Sequence, residues 1–421
     1  MNNTGENIYG NSIKIRFNAT NNSSTEAYEN GITAKIFKVT EVTSTGYKGT
    51  LVSTKTNSAP IATGEDKVYE FAFNDLTYGE NYWVQYGYYN ASGEYQYEAT
   101  SPYTIVKGIV AIDANGNVTG SAPGSTYTVA EGAAAVDLRG LTTLPKITKN
   151  SNPNCLYVID SGKTLLDNNS NPITDNVIIG NQATNIVLED NANGFYTPVS
   201  FTAQNISYRR TFNTFYNEGK GWTTLVLPFA ASKINNGSDL TWVGSGKQFW
   251  LMQFTDESGS DVVFSYAPAT LEANSPYIIA LPGSNYGKFS MVSKNTLTFS
   301  AENASISAGA TASTTVSDYM FVGTMANTGT LENIYALNSD GDYFESGNSA
   351  VAPFRAYFKA TSINATATSL GIRFGGTTAI DEILTVGESS QHEGIFNLNG
   401  QRVEKPTKGL YIVNGKKVIV K

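Results

Sequence analysis

Residues 76–93, Leu76-Thr77-Tyr78-Gly79-Glu80-Asn81-Tyr82-Trp83-Val84-Gln85-Tyr86-Gly87-Tyr88-Tyr89-Asn90-Ala91-Ser92-Gly93, carry the pattern that decides the fold. Tyr82, Val84, Tyr86 and Tyr88 recur at period two, the spacing of side chains on one face of a strand, and Asn90 and Gly93 close the strand in a turn. The alternation points these four residues inward. It leaves Trp83, Gln85 and Tyr89 on the outer face, beside Tyr95 and Tyr97 of the returning strand.

The same grammar extends in both directions. Ser12 to Phe17 alternates and buries Ile13, Ile15 and Phe17, and Ile32 to Val39 alternates likewise. Helical periodicity is scarce throughout, whereas short β-branched and aromatic runs recur between Gly, Asn, Asp and Pro clusters. The expected class is all-β. With 421 residues the chain has room for several domains.

Composition narrows the chemistry. Charged residues are 15% of the chain, the formal net charge is -8, and there are 25 Tyr and 39 Gly. One Cys and one His exclude a Cys/His zinc site, a disulfide framework within the chain and any two-histidine mechanism. No cofactor is expected. A mildly acidic chain without a Lys/Arg run is a poor partner for nucleic acid, which demands clustered positive charge. No apolar run reaches the roughly 18 residues of a membrane-spanning helix. The opening MNNTGENIYG has no charged-then-apolar leader, so a leader ahead of Met1 is expected to have been removed.

Four regions are expected. Residues 1–107 read as an immunoglobulin-like or fibronectin III-like sandwich. Residues 108–206 hold short runs at irregular gaps, including Ala135 to Leu138, Leu156 to Ile159, Asn176 to Ile179 and Ile186 to Glu189. They suit a short β-helix or an irregular sheet, with the coil preferred. Residues 207–380 contain eight or more longer strands and read as a jelly-roll-like sandwich, with Ala301 to Ser317 as a loop or edge. Residues 381–421 form a C-terminal β-meander, because Asn399-Gly400 and Asn414-Gly415 each join alternating strands.

Two resemblances follow from these residues. Leu76 followed six residues later by Tyr82 resembles the tyrosine corner of the fibronectin type III family. Phe17 stands where that family usually carries a core Trp, and another immunoglobulin-like sandwich remains open. Asn399-Gly400-Gln401-Arg402-Val403 and Gly409-Leu410-Tyr411-Ile412-Val413 resemble the C-terminal sorting domain of the Por (type IX) secretion system. Trp222 to Phe229 and Ala352 to Phe358 are similar to segments ahead of such tails in leucine-rich-repeat and adhesin-like surface proteins of Bacteroidota. These resemblances imply export to the cell surface or medium, with the secretion machinery as a partner of the tail.

The expected function is therefore that of a non-enzymatic, adhesin-like surface or secreted protein displaying β modules to host or matrix. Trp83, Tyr89, Tyr95 and Tyr97 are the candidate ligand-binding residues, because flat rings stack on the C–H faces of sugars. The alternative is a glycan-binding component of a polysaccharide-capture system. A second alternative is a glycoside hydrolase, which needs two facing carboxylates from among Glu257, Asp261, Asp340, Asp342 and Glu345. Asp113 to Asn117 and Asn338 to Asp342 imitate the start of a calcium loop but lack the downstream bidentate Glu, so turns are expected and no metal site. Cys155 has no plausible base and reads as a small buried apolar group.

Overall fold

The computed structural model describes residues 7–375 except 23–24, 26–30, 45, 236–237, 240–248, 268–270, 283–294 and 363–366. It also describes 395–396, 403, 409–413 and 416–420 of the C-terminal region. The described residues are strands and turns with no helix, so the fold is all-β and multidomain.

The N-terminal unit is two layers. Ile13–Thr20 pairs antiparallel with Asp66–Phe73. The facing sheet runs in the order Asn7–Tyr9, Tyr103–Val106, Asn81–Tyr89, Ile32–Thr43, Gly46–Asn57, and Tyr95–Ala99 also pairs with Asn81–Tyr89. Ile13, Ile15, Ile36, Tyr69, Phe71, Tyr82 and Val84 fill the space between the layers. The Thr77 backbone N–H donates to the Tyr82 hydroxyl at 3.1 Å, the bond expected of a tyrosine corner. A second Leu and Tyr six residues apart, Leu271 and Tyr277, repeat it: the Glu272 N–H donates to the Tyr277 hydroxyl at 3.1 Å.

The middle region is a short solenoid. Parallel pairs advance by 20 or 21 residues, from Thr126 to Lys146, Ala135 to Leu156, Ile147 to Asp167 and Tyr157 to Val177. Parallel coils leave corner backbone groups without ladder partners, and such groups are costly when buried. Asparagine side chains take them up. Buried Asn154 donates to the carbonyls of Glu189 and Gly194 and accepts from the Glu189 N–H, while Asn176 donates to Pro153 and Val187 and accepts from the Val187 N–H. An antiparallel hairpin, Ile109–Asp113 with Val118–Ser121, covers one end of the stack against Ala133–Asp137.

The other end does not stop at residue 206. Phe201–Thr211 runs through the expected boundary and pairs antiparallel with Thr296–Ile306. Phe201 and Ala203 are buried along it, and after exposed Gln204 and Asn205 the inward alternation resumes at Ile206, Tyr208 and Arg210 and carries on past residue 206. Ala301 to Ile306, expected to be loop or edge, lies inside this pairing; Ala312–Val316 does form an edge, of a different sheet.

That second sheet has ten strands, antiparallel except where Asp261–Tyr266 meets Ser369–Phe374. Phe254 and Phe358 lie five strand steps apart in it, which would be roughly 24 Å in a flat sheet at the usual strand spacing. Their ring centroids are 4.9 Å apart. The sheet therefore folds over onto itself, and Phe264, Phe321 and Phe344 complete the packed interior. In the C-terminal region Ile395–Phe396, Gly409–Val413 and Lys416–Val420 form a three-stranded antiparallel sheet, with Val413 opposite Lys416.

One charged cluster ties the solenoid to the folded sheet. Arg355 holds Asp190 bidentately at 2.9 and 2.7 Å, and the Tyr208 hydroxyl donates to the same carboxylate at 3.0 Å. Arg210 is buried, donates to the Thr224 carbonyl at 2.8 Å and to the Thr223 hydroxyl at 2.7 Å, and has its Nε 3.7 Å from Asp190. Burial alone would raise the Asp190 carboxyl, but the hydrogen bonds and charge of Arg355, with the charge of Arg210, outweigh it and hold the carboxyl below its ordinary value. Burial and the neighbouring Arg355 depress Arg210, because two guanidiniums share one carboxylate. A carboxylate depressed in the folded state adds stability above its unfolded value near 3.9, and that contribution fades as the pH falls through the lower folded value. Asp190→Asn is predicted to cost about 3 kcal/mol at neutral pH, because it strands a buried guanidinium, and the loss should shrink below about pH 4. Urea unfolding followed by tryptophan fluorescence checks this; equal midpoints for the two proteins at pH 7 would contradict it.

Candidate functional site

Among the described residues, nine of the thirteen exposed large apolar side chains belong to the N-terminal sandwich: Val42, Tyr47, Leu51, Val52, Val68, Tyr78, Tyr88, Tyr89 and Tyr97. A folded chain has a cause to expose rings in a group only where something is to cover them. The outer face of the five-strand path is where they gather most densely.

The geometry of that face starts from a glycine. Gly87 lies opposite Tyr97, and a Cβ on it would come 1.9 Å from the Gln96 carbonyl oxygen and 2.7 Å from the Tyr97 Cα. The two strands close over a gap that only hydrogen can fill. Tyr95 spans that gap, and its hydroxyl donates to the Thr33 carbonyl at 2.8 Å, two strands away. Burial, with Tyr89 and Tyr97 beside it, raises that hydroxyl above the ordinary tyrosine value, so it stays a donor at any working pH. Tyr97 stacks on Tyr95 with centroids 5.3 Å apart and planes inclined by 20°, and Tyr89 sits 5.1 Å from Tyr95 at 39°. Tyr89, Tyr95 and Tyr97, singled out in the sequence, thus form one ring strip.

Trp83 does not join it. It lies on the expected side of the sheet but is 5% exposed, so it offers no open ring. Phe37 stacks on the indole at 4.9 Å and Tyr47 tilts against it at 6.2 Å. Gly49 of the edge strand lets this happen, since a Cβ there would meet the indole at 2.3 Å. Tyr88, expected to point into the core, is 43% exposed, because the hairpin outruns the two-stranded layer that would cover it. Lys35 was missed by the sequence reading: its Nζ stands 4.0 Å from the Tyr95 centroid and 5.2 Å from that of Tyr89. Strand pairing brings it into the group, because Lys35 lies opposite Gln85 on the same face.

The carboxylates considered for hydrolysis sit elsewhere. Asp340 and Asp342 share Lys220 at 2.7 and 3.8 Å, Asp261 pairs with Arg373, and Glu257 accepts from the Asp318 N–H at 3.0 Å. A groove of about 530 Å³ beside Phe195, Tyr196, Met320 and Met325 has Lys359 as its charged lining residue and no carboxylate among the described residues. A second groove, about 650 Å³, opens between Phe17, Tyr86 and Tyr88, and the one carboxylate among its described lining residues, Glu98, accepts from the Tyr86 hydroxyl at 3.1 Å. Among the described residues no group of three or more His, Cys, Asp or Glu is placed to hold a metal ion. Asp113 closes its loop by accepting from the N–H groups of Asn115 and Asn117, both at 2.9 Å, and Asn338 likewise accepts from Asp342 at 3.1 Å. Cys155 is buried, and burial pushes its thiol up to about 12. In the C-terminal region Gly409 and Tyr411 lie on the middle strand of the three, while Asn399, Gly400 and Arg402 fall outside the described residues.

No family model, no curated protein and no solved structure matches this chain.

Gly87→Ala is predicted to cost about 1 to 3 kcal/mol by forcing the hairpin apart, and to release the Tyr95 hydroxyl from Thr33. Thermal unfolding measures the first effect and hydrogen exchange of the Thr33 to Lys35 segment the second. Wild-type behaviour in both would contradict the close approach.

Proposed function

We propose that the chain is a non-enzymatic, adhesin-like surface protein that makes contact through the outer face of its N-terminal sandwich, with glycan as the ligand. The observation that carries this reading is the Tyr89, Tyr95 and Tyr97 strip, two of whose rings are 39% and 53% exposed. Rings packed against one another lose little further freedom on binding, which lowers the cost of association. A face of this kind binds weakly as a single site. Many copies displayed together gain by avidity what one copy lacks.

The rest of the chain supports display. The solenoid and the folded sheet are joined through a common buried core and the Asp190 cluster, giving a stiff mount for a contact module. Placement at the cell surface or in the medium rests on the resemblance of the C-terminal strands to a sorting tail, and on the three-stranded sheet they form.

Two experiments test the reading. On a glycan array, the Tyr89→Ala/Tyr97→Ala chain is predicted to bind about tenfold or more weakly than wild type, each ring contributing of the order of 1 kcal/mol. Trp83→Phe should bind like wild type. Equal binding by the double variant would remove the face from the function. Deleting residues 381–421 should block surface display while leaving the remaining units folded by circular dichroism; normal display of the deletion would refute the sorting role.

A further inference from the structure

Among the described lysines of the sandwich, Lys35 lies nearest to a ring, 4.0 Å from the Tyr95 centroid against 5.8 Å for Lys55 over Phe73 and 5.9 Å for Lys107 over Tyr78. Lys14, Lys38 and Lys48 each hold a carboxylate, Glu70 at 2.6 Å, Glu80 at 2.8 Å and Glu41 at 2.9 Å. Lys35 has no ion pair among the described residues and stands over tyrosine rings instead. The acids of the adjoining hairpin have other partners. Glu94 is engaged by Asn90 in the turn at 3.2 Å, and Glu98 is bonded to Tyr86 on the opposite face. Among the described residues, the ammonium beside the ring strip therefore has no counter-charge.

The ammonium is also held in place. Gly87 removes the side chain that would separate Lys35 from the hairpin, and Tyr95, fixed by its bond to Thr33, supplies the ring face beneath Nζ. A lysine positioned in this way can accept an anion with little loss of side-chain freedom. A neutral sugar can accept a hydrogen bond from it but brings no counter-charge. A peptide ligand would require pockets for alternate side chains, whereas Tyr95 and Tyr97 present nearly parallel faces without a pocket between them.

We propose that the face recognises acidic glycans of the uronate class, with pyranose C–H faces against Tyr97 and Tyr89 and the sugar carboxylate on Lys35. This rests on the aromatic-face reading and narrows it to one charge class. The probes are oligosaccharides of galacturonate, hyaluronan and alginate type, each beside its carboxyl-reduced counterpart, titrated into the full chain by calorimetry. At least one acidic form is expected to bind about tenfold tighter than its reduced partner, the worth of one charge-assisted hydrogen bond. Lys35→Gln should abolish that difference while keeping the affinity for the reduced form, and Lys35→Arg should retain the preference. Equal binding of acidic and reduced forms, or an acid preference that survives Lys35→Gln, would overturn the charge assignment and leave the aromatic face standing. Binding of a tyrosine-sulfated peptide with no response to any sugar would overturn both, as would silence towards every sugar.

Discussion

An all-β chain with short strands must find hydrogen-bond partners for the backbone groups at its corners, and this requirement organises the protein. Buried backbone donors and acceptors without partners cost about as much as the net gain of the bonds they lack. Here the partners are tyrosine hydroxyls and asparagine amides. Tyr82 and Tyr277 accept from the backbone at two corners, and Asn154 and Asn176 bridge solenoid coils. A chain rich in Tyr and Asn and poor in charge is what that task selects. Tyr95 performs it too, by donating to Thr33, but with its ring laid on the outside of the sheet. The bond that secures the hairpin also holds the Tyr95 ring in contact with Tyr89 and Tyr97.

What could be read from sequence followed the range of the interactions. The Tyr82 corner is local, so a spacing of six residues revealed it. The Tyr277 corner has the same spacing but no local signal, because Leu271 stands in an isolated bridge to Ala231 rather than in a recognisable run. The solenoid was legible as a coil without its period, since Val136, Tyr157 and Val177 carry no shared marker and align only when strands pair. The boundary placed after residue 206 ignored an alternation that continues through Tyr208 and Arg210 to a partner strand about ninety residues later.

The site divides in the same way. Alternation put Trp83, Tyr89, Tyr95 and Tyr97 on one side of the sheet, and the structure has them there. Whether a ring on that side is open depends on a different strand: Gly49, distant in sequence, admits the edge strand onto Trp83 and shuts it. Lys35 could not be assigned by pattern, because a lysine in a strand ordinarily points to water. Its meaning comes from neighbours that pairing brings together, Gly87 and Tyr95 above all.

The central claim is that the outer face of the N-terminal sandwich is the surface this protein presents to its ligand. Hydrogen exchange of the full chain, with and without a uronate oligosaccharide, examines every segment at once. The account predicts slowed exchange confined to residues 31–37 and 85–99. Slowing centred on residues 307–326, beside the groove near Met320 and Met325, with the sandwich unchanged, would contradict it.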